Sequence, residues 1–161
     1  MKIKKIIYLL IIIFVFNYNS ALSHQEIIPL TKSIKEYNLK SPIGKLNYLA
    51  YFSLRCGSLF SSINDVIPNN NYLNAALNLQ EGAVITAIMI EKVNQKEIKE
   101  RVDNKIQSYK SVYSKIIQEN FYKNGEYING ASLIESDEKS CKNFVPRAYR
   151  FLKNNRFNIR K

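Results

Sequence analysis

Cys56 and Cys141 are the only two cysteines in this chain, and each belongs to an apolar stripe of helical period. Around the first, Leu46, Leu49, Phe52, Ser53, Cys56, Leu59, Phe60, Ile63 and Ile67 gather on one side when the chain advances by about 100° per residue. Tyr51 and Leu54 point nearly the opposite way, so this helix is expected to be covered on more than one side, as a central bundle member is. Around the second, Cys141, Phe144, Val145, Ala148, Phe151 and Leu152 form a comparable stripe. With only two cysteines, an oxidising compartment allows a single intramolecular pairing, and that pairing ties the first long helix to the last.

The N-terminus bears on the compartment. Three lysines precede an unbroken apolar run from Ile6 to Phe16, and Asn17, Asn19 and small residues follow. That is the layout of a secretory signal. The run is about half of the roughly 20 residues a membrane-spanning helix needs. Ala21 and Ser23 satisfy a small-x-small cleavage rule, which predicts a signal over 1–23 and a mature chain from His24. Cleavage after Ala21 is one alternative and an uncleaved anchor another. No cysteine stands at the cleavage point, which argues against a lipoprotein anchor. The abundance of Asn, Ile and Lys suggests an AT-rich bacterial genome, and the expected location is the periplasm or the exterior.

Residues 24–161 suffice for one domain with one core. An arm over 24–40 precedes the first long helix; Thr31 could cap a short helix there carrying Ile34 and Tyr37, or the arm could lie extended. Ser41 followed by Pro42 predicts a helix start, and Pro68 its end. A second helix is expected from Asn71 or Asn74, and its run AVITAIMI, 83–90, being apolar nearly all round, is expected to be the most buried segment. A third begins near Gln95 and stops at Asn124-Gly125; whether it is continuous with the second is open. Residues 126–135 read as a loop or tight turn, and Ser136 or Asp137 as the cap of the last helix. Pro146 predicts a kink, or two short helices. Residues 154–161 read as a frayed basic tail. The fold class predicted is all-α: a single up-and-down bundle of about four main helices, first and last joined by a disulfide.

Several chemistries lack their residues. His24 is the only histidine, so a Ser-His-Asp or Cys-His arrangement within the fold is not expected. Paired carboxylates could work without histidine, and Glu81 lies in an apolar neighbourhood, but no motif places a second acid. No Gly-rich phosphate loop, CxxC zinc knuckle or calcium loop is present. No catalytic residue, cofactor or metal is therefore assigned.

Arg55 sits at the border of the core stripe, where a guanidinium needs a partner. Asp137 precedes Cys141 by four residues, so a Cys56–Cys141 bridge would draw it near. A structural Arg55–Asp137 pair is expected; an anion-binding Arg55 is the alternative. Tyr109, Tyr113 and Tyr149 follow core-edge spacing.

The formal charge is +11, and removing Lys2, Lys4 and Lys5 with the leader leaves 21 basic against 13 acidic side chains, net +8. Residues 139–161 hold eight basic residues and no acid, which is the whole excess. Arg147, Arg150, Lys153 and Arg156 mark this segment as the candidate polyanion or partner site, with Phe144, Tyr149, Phe151 and Phe157 as interleaved anchors. Nucleic acid fits the charge but not the compartment.

Leu54-Arg55-Cys56 in the first long helix, together with Ser136-Asp137-x-x-x-Cys141 near the last, resembles small secreted helical proteins of bacteria that are uncharacterised in activity. The resemblance covers two short segments; it supports the disulfide and implies no activity. The function expected is non-catalytic binding, to an envelope protein or to an anionic membrane or envelope surface, with no transmembrane segment after signal cleavage. The alternatives are a histidine-free envelope enzyme and a small-ligand carrier with an interhelical cavity.

Overall fold

In the computed structural model, which describes residues 27–91, 94–155 and 159–160, all regular structure is helical. A short helix α1 (Leu30–Ser33) runs into one 3-10 turn (Ile34–Glu36), and four long helices follow: α2 (Pro42–Val66), α3 (Asn70–Glu91), α4 (Gln95–Asn124) and α5 (Ser132–Asn154). They form a bundle in which the Cys56–Cys141 disulfide joins α2 to α5. The leader predicted over 1–23, His24, Arg156 and Phe157 lie outside the described residues.

Helix α2 starts where serine and proline place it. Ser41 Oγ accepts a hydrogen bond from the Gly44 amide at 3.0 Å, and Pro42 occupies the first turn, where its missing N–H costs nothing. Gly44 is obligatory here, because a Cβ would collide with the Asn38 carbonyl where the arm turns into the helix. From Phe52 to Phe60 every residue except the half-buried Leu54 is buried, so α2 is the central member. Gly57 lets α3 approach closely: a Cβ there would stand 3.1 Å from Gln80 Cγ. On another side, Ser58 Oγ and Ser62 Oγ donate to the Ile106 and Lys110 carbonyls of α4 at 3.0 and 3.1 Å. Small hydroxyls thus stitch the α2–α4 seam, while Phe52, Leu59, Phe60 and Ile63 each contribute roughly 1.5–3 kcal/mol through burial.

Helix α3 departs from expectation. It begins at Asn70, and its 83–90 run is not the most buried segment: Val84, Ile85, Ile88 and Ile90 are half-buried and Met89 is 44% exposed. Its inner face meets α2, but α5 meets it near Gly82, which Leu152 covers, and among the described residues no helix lies over the outer flank beyond. By length and composition α3 could cross a membrane, with a mean hydropathy of 1.3 over its most apolar 18-residue window. Within the bundle it packs against α2, α4 and α5.

Helix α4 is separate from α3 and has its own cap, Asn94, whose side chain accepts from the Lys96 amide at 2.9 Å. It ends at Gly125 in the left-handed region, φ 74°, as Asn124-Gly125 predicts.

Helix α5 begins at Ser132, four residues before the predicted cap at Ser136. The turn at Asn129-Gly130 leads almost directly into it, and Glu135 in its first turn accepts from the Gly130 amide at 2.8 Å, so Asp137 is free for another role. A single helix runs through Pro146 rather than two short ones. The proline is exposed, so the carbonyl it leaves without a donor faces water, while Phe144, Ala148 and Leu152 anchor both halves to the core.

Candidate functional site

The chain's most concentrated polar chemistry is inside the bundle, one turn from the disulfide. Cys56 and Cys141 are both fully buried, with Cα atoms 5.3 Å apart. Arg55 precedes Cys56 by one residue and Asp137 precedes Cys141 by one helical turn. The bridge fixes α2 against α5 at that level, and the structure brings Arg55 Nη2 to 2.7 Å from Asp137 Oδ2. Arg55 is 1% exposed and Asp137 0%.

A charge pair taken this far from water is tolerable only when its remaining donors and acceptors are met. Arg55 Nε donates to the Tyr113 hydroxyl at 2.7 Å, Nη1 to the Tyr51 hydroxyl at 2.7 Å, and Nη2 also to the Ile28 carbonyl at 3.1 Å. Asp137 Oδ2 accepts from the Tyr113 hydroxyl at 2.6 Å. Asp137 Oδ1 accepts from the Leu30 amide at 2.7 Å. That last bond caps the start of α1 from across the bundle, placing a carboxylate where the helix exposes its N–H groups. The guanidinium also lies 5.3–5.6 Å from the ring centroids of Tyr51, Tyr109 and Tyr113, a three-sided aromatic enclosure. Burial works against the Arg55 charge, but Tyr113, Tyr51 and Asp137 outweigh it and hold the guanidinium above its ordinary value.

With its guanidinium engaged by Asp137, two tyrosines and a backbone carbonyl, Arg55 presents no open face to an external anion. The cluster is a structural hub. It pins the N-terminal arm, whose Leu30 is fully buried, to helices from the middle and end of the chain. The arm is accordingly a short helix and turn rather than extended. Thr31 lies inside α1 and exposed, and Pro29 takes the cap position.

Tyr113 of the hub and Tyr37, whose ring centroid lies 5.7 Å from that of Tyr51, make the fold sensitive to alkali. Burial raises the Tyr37 hydroxyl from 10.0 to about 12, with the neighbouring Tyr51 and Glu36 adding to the shift. Burial raises Tyr113 strongly as well, with Arg55 opposing and Asp137 reinforcing. Both hold their protons more tightly folded than unfolded. Their contribution to stability is therefore complete below about pH 10 and is lost as pH climbs through the folded values. Urea midpoints are expected to fall continuously from about pH 10 to 12, and less steeply in Tyr37→Phe; identical slopes in the two proteins would contradict this burial.

The basic residues of α5 lie apart from the hub. Lys139, Arg147, Arg150 and Lys153 are exposed on its outer side, and Lys142 pairs with Glu138 at 2.8 Å. Of the anchors predicted among them, the described ones are turned at least partly inward. Phe144 is 2% exposed and packs between Tyr48 and Phe52, with ring centroids 5.6 and 5.3 Å away. Tyr149 is half-buried, its hydroxyl accepting from Asn78 Nδ2 at 3.0 Å.

The tail is not wholly frayed, since Arg160 is docked on α3. The buried Asn78 side chain accepts from the Arg160 amide and donates to its carbonyl, both at 3.0 Å. The Arg160 guanidinium lies 3.0 Å from Glu81, so the carboxylate considered for paired-acid chemistry has a cationic partner. Among the described residues no group of three or more His, Cys, Asp or Glu is placed to hold a metal ion.

Neither Tyr113 nor Asn78 is assigned such a role by sequence. Tyr51, four residues before Arg55, shares its helix face and was legible as a neighbour by spacing alone. Compared with family models, with curated proteins and with solved structures, the chain matches none.

Proposed function

We propose that the protein is an exported bacterial protein that acts without catalysis, binding an anionic membrane or envelope surface through the outer side of α5. The disulfide is compatible with an extracytoplasmic location. One observation carries the reading. Lys139, Arg147, Arg150 and Lys153 are all exposed along one helix, in a segment whose sequence contains no acid from 139 onward. With Phe144 turned into the core, that ring does not insert, and the attachment proposed here rests on charge. Each basic side chain near an anionic membrane surface contributes about 1 kcal/mol, so four together give a usable but salt-sensitive affinity.

Co-sedimentation with phosphatidylglycerol-containing vesicles tests this. Binding is expected at about 0.05 M salt and is expected to be largely lost at about 0.5 M, where screening shortens to a few ångströms. Reversing Arg147, Arg150 and Lys153 to Glu is expected to weaken binding by about 100-fold or more, with thermal stability lowered modestly, since all three are exposed but Arg147 also bonds Tyr48. Equal binding by wild type and the reversed variant would refute the assignment. So would equal binding to uncharged vesicles.

A further inference from the structure

On another side of the bundle, a half-open groove of about 380 Å³ lies between α2, α3 and α4, with Tyr37 of the arm and the hub's Tyr51 also lining it. Its walls are apolar where the helices meet: Ala50 and Leu54 from α2, Ala83 and Ala87 from α3, and Val102 from α4. Three of these five are alanines, and their short side chains leave the space that longer ones would fill. Nearby, Ala83, Ala87 and Val102 join Ile98 and Ile106 in a small second core at this end of α3 and α4, so the groove floor is firm.

Charge is confined to the rim, where Glu91, Arg101 and Lys105 stand. Glu91 and Arg101 form an ion pair with each other. Among the described residues Lys105 forms no ion pair, and it is exposed. The rim therefore offers one uncompensated positive charge beside an apolar trough. A dry cavity of about 150 Å³ already accepts benzene, so this space admits an alkyl chain, though not the paired chains of a bilayer lipid.

We infer that the groove binds a free single-chain fatty carboxylate, its alkyl chain along the alanine floor and its carboxylate at Lys105. One chain matches the volume, and one negative charge matches the rim. The site is distinct from the basic side of α5 and neither requires nor excludes membrane attachment.

Calorimetric titration of the folded full chain with dodecanoate, below its micellar range, tests the inference. Dodecanoate is expected to bind at one site, and decanoate about fivefold more weakly, since two methylenes are lost from a half-open trough. Dodecyltrimethylammonium, with the opposite head charge, is expected to bind at least about tenfold more weakly. Ala87→Phe fills the floor and is expected to abolish binding. Should that variant fail to fold, Lys105→Glu on the exposed rim still decides, with an expected loss of about tenfold. Reversing Arg147, Arg150 and Lys153 should leave dodecanoate affinity unchanged, which separates this site from the α5 proposal. Equal affinity for the anionic and cationic chains, or unchanged affinity in Lys105→Glu, would overturn it. A loss of affinity on reversing the α5 charges would do the same.

Discussion

Removing the Cys56–Cys141 bridge is expected to lower the unfolding free energy by about 4.6 kcal/mol, as the loss of chain restriction for a closed loop of 85 residues. For a domain of this size that is a large share of the usual 5–15 kcal/mol. The measurement is a urea titration of the oxidised protein beside Cys56→Ser/Cys141→Ser, comparing midpoints at matched slopes. A difference below about 1 kcal/mol would mean that helix packing alone sets the α2–α5 register. Both sulfurs belong to fully buried residues, so reductant has to wait for an opening of the bundle. Reduction by a small thiol under native conditions is therefore expected to be slow, and to accelerate in urea below the unfolding midpoint.

Asp137→Ala is expected to cost about 3–5 kcal/mol, because it leaves the Arg55 guanidinium buried without its counter-charge. The same change releases the Leu30 amide and the Tyr113 hydroxyl from their shared acceptor. Amide exchange should report this locally, with Leu30 losing protection beyond what the drop in global stability explains. A double replacement, Arg55→Met with Asp137→Leu, removes both charges at similar volume and is expected to recover much of the loss. If the single and double replacements cost the same, the hub is held by packing and not by charge. Since Asp137 and Cys141 are one turn apart, removal of the bridge and of the carboxylate should not be additive.

These two effects converge on one construction. A covalent link sets the level of α2 against α5; at that level a charge pair is completed by tyrosines from α2 and α4 and by the backbone of the arm. Elements distant in sequence are joined at one point, while of the surfaces proposed to bind, the outer side of α5 lies elsewhere and the alanine-floored groove borders the hub at Tyr51.

Much of this was legible in the residues. The count of two cysteines leaves one pairing, and the offsets of Arg55 from Cys56 and Asp137 from Cys141 place a cation and an anion beside it. Ser41-Pro42 and Asn124-Gly125 mark the ends of α2 and α4 through local backbone chemistry, which needs no information from the rest of the chain. The start of α5 was misplaced because Ser136 and Asp137 have the right chemistry for a cap. Glu135 and the Asn129-Gly130 turn start the helix earlier and leave Asp137 to act at a distance.

By itself, the sequence determined periodicity, the start of α2 and the end of α4, the pairing of cysteines and the concentration of positive charge after residue 139, because each depends on composition or on neighbours along the chain. Only the tertiary structure decided which apolar side has a helix over it. It left the 83–90 run half-covered, turned Phe144 inward, docked Arg160 on Asn78 and Glu81, and assembled Tyr51 and Tyr113 around Arg55. Burial is a property of what lies opposite a side chain, and for these residues what lies opposite comes from far along the chain.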